Sequence, residues 1–131
     1  MNVLIDSTIW IEFLTNGPKV KRFAKYLRSP YKIILPSIVS YEVYKKIKSG
    51  RGEGSAILIM AQIERLSHLQ IPLTQELAVR AADVSLQHKI PMADAIIYTT
   101  SQDTSALLVT MDAHFKNLPD VEFISPGGRL N

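Results

Sequence analysis

Short apolar runs alternate along the chain with longer segments whose apolar residues recur every three or four positions. The short runs predict buried strands, and the longer segments predict amphipathic helices. The predicted strands are residues 3–5, 33–35, 69–73, 106–110 and 121–124, and the predicted helices are residues 9–14, 19–27, 38–48, 56–66, 75–88 and 92–101. Residues 49–54 predict a flexible connection, a short helical turn is expected after Asp112, and residues 126–128 predict a tail.

This alternation predicts an α/β fold in which strands are joined by helical crossovers. We expect one domain over residues 1–131, with three layers: a central, mainly parallel sheet of four to five short strands and helices on both faces. Ligands of such sheets bind beyond the carboxyl ends of the strands. Asp6 and Asp112 each follow a predicted strand, so both are expected at that edge.

Composition narrows the possible classes of protein. A chain of 131 residues that is 47% hydrophobic can bury one sizeable core. It contains no cysteine, which excludes disulfides, thiolate metal sites and thiol nucleophiles. No apolar segment approaches the roughly 20 residues that span a bilayer. We therefore expect no membrane association and a cytoplasmic location.

The charge is unevenly distributed along the chain. Residues 1–51 hold ten Lys or Arg against three acids, whereas residues 52–131 hold five against nine. A nucleic-acid-binding face beside a cation site would produce this asymmetry, and so would solvated lysines on ordinary surface helices. Under the first interpretation, the candidate RNA-binding residues are Lys21, Arg22, Lys25, Lys45, Lys46 and Lys48.

Four acids are candidates for a functional site. Glu42 lies on the apolar stripe of its predicted helix, and Asp94 lies in the first turn of a helix that is otherwise almost wholly apolar. Asp6 and Asp112 follow strands and precede helical segments. Each has a structural alternative, because Asp6 and Asp112 are also placed to cap helices, Asp94 suits a helix dipole, and Glu42 could form an ion pair.

Together, the four acids predict a divalent-cation site. Unit charges about 4 Å apart interact by roughly 4 kcal/mol at an effective dielectric of about 20, so clustered carboxylates need a proton or a cation. Oxygen ligands favour Mg²⁺ or Mn²⁺ over Zn²⁺. Such a cation supports phosphodiester hydrolysis without a side-chain nucleophile. Thr8 and Thr110 are candidates for supporting hydroxyls, although strand-end threonines are often caps.

The motifs around these residues resemble the PIN-domain family, most closely its VapC-type toxins. The resemblance covers essentially the whole chain. It is carried by Asp6-Ser7-Thr8-Ile9-Trp10-Ile11, by Pro36-Ser37-Ile38-Val39-Ser40-Tyr41-Glu42-Val43, by Met92-Ala93-Asp94-Ala95-Ile96-Ile97 and by Leu107-Leu108-Val109-Thr110-Met111-Asp112-Ala113-His114-Phe115. The chain departs from the pattern at His114, where many relatives carry another acid. Two other classes of α/β protein, phospho-receiver domains and haloacid-dehalogenase phosphatases, would need a second acid close to Asp6. This chain has Ser7 and Thr8 there, which argues against both classes.

The resemblance implies a Mg²⁺- or Mn²⁺-dependent endoribonuclease that cleaves structured RNA, such as transfer or ribosomal RNA. It implies Asp6, Glu42, Asp94 and Asp112 as catalytic residues, with the metal held by Asp6, Asp94 and Asp112. Because His114 replaces an acid, we expect one cation held chiefly by Asp6 and Asp94, and a second that needs RNA phosphate. A small antitoxin and a homodimer are the implied protein partners. The alternative is a PIN-like domain that binds RNA or a protein without cutting.

Overall fold

The fold is built on a five-stranded, fully parallel sheet with strand order β3-β2-β1-β4-β5. The computed structural model describes residues 1–125, so the tail predicted at residues 126–128 lies outside the described residues. The strands are β1 Asn2–Ile5, β2 Lys32–Pro36, β3 Leu69–Ile71, β4 Leu107–Thr110 and β5 Val121–Phe123. The helices are α1 Ser7–Leu14, α2 Ser37–Arg51, α3 Glu53–Leu66, α4 Gln75–His88 and α5 Met92–Asp103, with 3-10 turns at Val20–Arg22, Ala24–Leu27 and Ala113–Phe115.

Strand β1 lies at the centre of the sheet, and its sequence is apolar on both faces. Val3, Leu4 and Ile5 are all 0% exposed, as expected for a parallel strand covered on both sides. Leu4 pairs with Ile34 of β2 on one side and with Leu108 of β4 on the other. The α/β fold predicted from the alternation of apolar runs and amphipathic segments is confirmed.

The connections explain how helices come to cover both faces. The chain moves from β1 to β2 and β3 in one direction, then returns past β1 to β4. Right-handed crossovers therefore place α1, α2 and α3 on one face and α4 and α5 on the other. Trp10 of α1 is 0% exposed, so this helix packs its indole ring into the core. Within residues 1–125, no helix is long and apolar enough to cross a bilayer.

The helix predicted at residues 19–27 is wrong, because this segment forms two 3-10 turns. Val20, Phe23 and Tyr26 are spaced by three residues, which is the repeat of a 3-10 helix. Phe23 is fully buried and Tyr26 is 6% exposed. The residues that anchor the segment in the core therefore follow a period of three rather than 3.6.

The flexible connection predicted at residues 49–54 is also wrong. Helix α2 continues to Arg51 and α3 begins at Glu53, so Gly52 is the whole connection. Gly52 has a φ of +89°, a backbone conformation that costs glycine far less than any residue with a Cβ. A single residue thus reverses the helical path, and Lys48 spans the break with an ion pair of 3.2 Å to Glu53.

Candidate active site

Two neighbouring strands, β1 and β4, end at the same edge of the sheet and deliver Asp6 and Asp112 there. Ile5 pairs with Val109, and the backbone N–H of Asp6 donates to the carbonyl of Val109 over 3.2 Å. Parallel pairing therefore places the two acids beyond adjacent strand ends, as the sequence predicts.

Asp6 is the N-cap of α1 and is 2% exposed. Its Oδ1 accepts from the backbone N–H of Thr8 at 2.8 Å and of Ile9 at 3.3 Å, and also from the Thr8 hydroxyl. Its Oδ2 accepts from the hydroxyl of Thr110. Burial raises the pKa of Asp6 to about 6, although these hydrogen bonds oppose the rise.

The two threonine hydroxyls tie the strand ends together. Thr110 donates to Asp6 and accepts from the backbone N–H of Asp112 at 2.9 Å, while Thr8 donates to Asp6 and accepts from Met111 N–H at 3.0 Å. Both hydroxyls therefore hold Asp6 in position relative to the segment that carries Asp112. This geometry supports a positioning role for both threonines.

Asp94 lies in the first turn of α5 and is 7% exposed. Its Oδ2 is buried and has no hydrogen-bond partner among residues 1–125. Burial raises the pKa of Asp94 to about 7, followed in importance by the charge of Asp112. A buried carboxylate oxygen without a partner is unfavourable, and a cation would compensate for it.

His114 completes this group. Its Nδ1 lies 2.9 Å from Asp94 Oδ2, without hydrogen-bond geometry, and 3.0 Å from Asp112 Oδ1. Asp94, Asp112 and His114 each offer one ligand atom, and the three atoms lie within 4.8 Å of one another. His114 is not among the predicted site residues, although its place two positions after Asp112 in Thr110-Met111-Asp112-Ala113-His114-Phe115 is a sequence signal for it.

Glu42 approaches the same group from α2. It is half-buried, and its Oε1 accepts from the hydroxyl of Ser7 at 2.9 Å. Burial is the main reason that its pKa is raised, and the charge of Asp112 adds to the rise. The charge of Glu42 also contributes to the raised pKa of Asp94, so the three carboxylates share one electrostatic environment.

The four predicted acids thus lie at one edge of the sheet, but in two different settings. Asp94, Asp112 and Glu42 influence one another electrostatically. Both carboxylate oxygens of Asp6 already accept hydrogen bonds, and Asp6 lies outside the metal-capable group of three found within residues 1–125. A direct metal contact from Asp6 therefore stays a prediction.

A groove of about 580 Å³ opens beside this edge between α1 and α2. It is lined by Ser7, Thr8, Ile11, Glu12, Tyr41, Glu42, Lys45, Lys46 and Ser49. Tyr41 is 58% exposed, and the Nζ of Lys45 lies 5.5 Å from the centre of its ring. The groove therefore combines an exposed aromatic ring with two lysines next to the acidic group.

The other candidate RNA-binding residues lie outside the lining of this groove. Lys48 pairs with Glu53, Arg22 donates to the carbonyl of Ser125 at 2.7 Å, and Lys25 lies over the ring of Tyr26. Lys21 is exposed on the first 3-10 turn. Among the six, only Lys45 and Lys46 contribute to the groove.

The sequence matches the family model "PIN domain" over residues 3–121. The chain belongs to the PIN-domain family. This confirms the family predicted from the motifs around Asp6, Glu42, Asp94 and Asp112. A comparison with curated proteins gave no match.

Solved structures of toxin–antitoxin proteins share this PIN fold. A chain of a toxin–antitoxin complex from Klebsiella pneumoniae is 22% identical, with a TM-score of 0.71 over 92% of this chain and 95% of that chain. A chain of VapBC2 from Rickettsia felis, bound to a promoter DNA fragment, is 16% identical, with a TM-score of 0.74 over 95% of this chain and 99% of that chain. VapC20 of Mycobacterium tuberculosis, described as a sarcin–ricin loop cleaving toxin, is 16% identical, with a TM-score of 0.69 over 86% of this chain and 92% of that chain.

Proposed function

We propose that this PIN domain is a metal-dependent endoribonuclease and the VapC-type toxin of a type II toxin–antitoxin pair. The proposal rests on the buried Oδ2 of Asp94, which accepts no hydrogen bond within residues 1–125 and lies beside Asp112 and His114. Three potential ligands converge on one small volume, and one of them, His114, is 57% exposed, so the group is open to an incoming ion. The two carboxylates supply the oxygen ligands that Mg²⁺ and Mn²⁺ bind, so a divalent cation of this kind is the proposed cofactor.

The residues at the site fit a divalent cation held by Asp94 and Asp112, and Thr110 links Asp6 to the backbone of Asp112. Such a cation, when bound, balances the carboxylate charges and stabilises the charge that develops during phosphodiester hydrolysis. Asp6, fixed by Thr8 and Thr110, holds the ends of β1 and β4 in register. Glu42 faces the cluster from the groove, where its raised pKa suits it to accept or return a proton.

The groove between α1 and α2 supports an RNA substrate. Lys45 and Lys46 provide positive charge for phosphates, and the exposed ring of Tyr41 can stack against an unpaired base. A base in the groove would lie next to Glu42, so its backbone would pass the acidic group. The Mycobacterium tuberculosis neighbour is a sarcin–ricin loop cleaving toxin, which supports a structured ribosomal RNA as substrate here, and transfer RNA is the second class to test.

The proposed partners are a small antitoxin protein and a second copy of the chain. Two of the structural neighbours above come from toxin–antitoxin complexes, which supports the antitoxin. A mainly apolar groove of about 540 Å³ between α4 and α5 is suited to a protein contact, and it is bordered by the exposed side chains of Leu73, Leu86 and Met92. We propose that the protein acts in the cytoplasm, where both RNA classes are found.

RNA cleavage is the direct test. Intact protein is incubated with transfer and ribosomal RNA in Mn²⁺, Mg²⁺ or EDTA, in parallel with Asp6→Asn, Asp94→Asn and the exposed-acid control Asp83→Asn. We expect discrete cuts by the parent and the control with a metal ion, and none by the two site variants. Equal cleavage by all four proteins would show that the acidic group is not the active site.

The competing function is a PIN-like domain that binds RNA or a partner without cutting it, and His114 in place of an acid motivates it. This alternative predicts that the parent binds the same RNAs and leaves them intact with every metal. Product sequencing after binding separates the two functions, because a nuclease leaves defined new ends.

The RNA interface can be tested apart from cleavage. In an Asp94→Asn background, Lys45→Ala and Lys46→Ala should each flatten the salt dependence of single-strand binding by roughly 0.7 in the log–log slope. Lys32 lies at the opposite, amino-terminal edge of the sheet, so Lys32→Ala is the control. Unchanged slopes for both groove variants would place the RNA elsewhere, and Lys21, Arg22, Lys25 and Lys48 would be tested next.

A further inference from the structure

An imidazole nitrogen lies within a group of carboxylates that otherwise offers only oxygen. His114 Nδ1 is 2.9 Å from Asp94 Oδ2 and 3.0 Å from Asp112 Oδ1. Asp94 is more than nine-tenths buried and its Oδ2 lacks a hydrogen-bond partner among the described residues, so this oxygen is aimed at the group without being satisfied by it. His114 is therefore an exposed residue whose imidazole nitrogen lies within the acidic group.

The 3-10 turn Ala113–Phe115 fixes the position of His114 relative to Asp112. Asp112 caps the turn, because its Oδ1 accepts from the backbone N–H of His114 at 2.9 Å. Phe115 is 0% exposed and anchors the turn in the core. The backbone of His114 is thus held from both sides, although its imidazole is 57% exposed to incoming ions.

The separations between the three atoms suit ligands of one ion. Adjacent ligands of an octahedral ion with bonds of about 2.1 Å lie about 3.0 Å apart. The two distances from Nδ1, 2.9 and 3.0 Å, agree with that spacing, and all three atoms lie within 4.8 Å of one another. One cation can therefore contact Asp94, Asp112 and His114 with little rearrangement.

We infer that His114 is a direct ligand of the divalent cation, together with Asp94 and Asp112, and that its nitrogen makes this site select Mn²⁺ over Mg²⁺. The inference rests on the cation site of the proposed function. Mg²⁺ prefers oxygen ligands and gives up its waters reluctantly, whereas divalent ions of the first transition series, Mn²⁺ among them, accept an imidazole nitrogen more readily than Mg²⁺ does. Replacing one carboxylate by imidazole also lowers the negative charge that a weakly bound Mg²⁺ depends on.

The test measures metal binding rather than activity. Mn²⁺ and Mg²⁺ affinities are determined by calorimetry for the intact protein, His114→Asp, His114→Ala and the control His88→Asn. In the parent, the imidazole of His88 packs edge-to-face against Tyr98. Electron spin-echo spectroscopy of bound Mn²⁺ then reports whether a nitrogen is directly coordinated. Thermal melting checks that each variant is folded, and the exposure of His114 makes unfolding an unexpected outcome.

We expect a nitrogen coupling on Mn²⁺ in the parent and in His88→Asn, and its loss in His114→Asp while Mn²⁺ still binds. The ratio of Mn²⁺ to Mg²⁺ affinity should fall by at least about tenfold in both His114 variants. Mn²⁺ bound to the parent without nitrogen coupling, an unchanged affinity ratio, or no Mn²⁺ binding by the parent would each overturn the inference.

RNA cleavage by the same samples separates this inference from the proposed function. If the parent binds Mn²⁺ through nitrogen but cuts no RNA, His114 is supported as a metal ligand and the proposed nuclease function is refuted. If the parent and His114→Asp cleave RNA equally in Mg²⁺ and neither shows nitrogen coupling, the nuclease function is supported and His114 is refuted as a metal ligand.

Discussion

Asp94→Asn should stabilise the metal-free protein at neutral and alkaline pH. The carboxylate of Asp94 is buried, its Oδ2 has no hydrogen-bond partner in the described part of the chain, and Asp112 repels its charge. Asparagine keeps the shape of the side chain and removes the charge. The substitution therefore removes a conflict that a cation relieves in the loaded protein.

The magnitude follows from the raised pKa of Asp94. A change from 3.8 to about 7 corresponds to roughly 4 kcal/mol, at 1.36 kcal/mol for each pKa unit. Water reaching the partly exposed Asp112 and His114 screens the site. We therefore expect the free energy of unfolding of metal-free Asp94→Asn to exceed that of the parent by about 1–2 kcal/mol. For a domain of this size, that raises the melting temperature by roughly 5 °C.

The pH dependence has a definite sign. Because the folded-state pKa of Asp94 is raised, its favourable contribution is complete below the unfolded value of 3.8 and is lost as the pH rises through about 7. Metal-free parent protein should therefore lose stability relative to Asp94→Asn between about pH 4 and pH 7. The gap between the two proteins should be largest above about pH 7.

Melting curves in EDTA at several pH values give this gap directly, with the exposed-acid variant Asp83→Asn as the control. Added Mn²⁺ should then raise the melting temperature of the parent but not of Asp94→Asn, because only the parent binds it. If Asp94→Asn melts below the parent in EDTA at about pH 8, or if the gap does not depend on pH, the argument from burial and repulsion is refuted.

Two further substitutions test the framework of the site. Thr110→Val removes a fully buried hydroxyl that bridges Asp6 and Asp112. We expect its free energy of unfolding, measured in urea, to fall by about 1–3 kcal/mol at an unchanged m-value. A fall below about 0.5 kcal/mol would show that the bridge contributes little to stability. Gly52→Ala should cost about 1 kcal/mol or more because of its φ of +89°, whereas Gly50→Ala, inside α2 with open space around it, should gain about 0.5–1 kcal/mol. Equal effects at both glycines would contradict the backbone argument.

Local patterns in the sequence predict most of the strands and helices of the fold. The buried strands are continuous apolar runs, and every helix long enough to show several turns of apolar periodicity is present, from α2 to α5. Thr74 caps α4 through its hydroxyl, which is a common helix start visible in the sequence. These features depend on neighbouring residues only, so one sequence reveals them.

Errors arose where the packing of distant residues overrides local signals. Residues 19–27 satisfy a helical pattern, yet burial of Phe23 and Tyr26 selects 3-10 turns. The glycines at positions 50 and 52 look alike in the sequence, but only the second ends a helix. Which glycine adopts a positive φ depends on where α3 must pack against α2.

The sequence alone determined which acids belong to the candidate site, because their placement after strands and within apolar helices is a local property. Only the tertiary structure decided how they are used. It engages both oxygens of Asp6 in hydrogen bonds, leaves one oxygen of Asp94 without a hydrogen bond within residues 1–125, and places His114, from another segment, 2.9 Å from that oxygen. The physical reason is that hydrogen bonding and desolvation are set by side chains far apart in the chain, which the crossovers of the parallel sheet bring together.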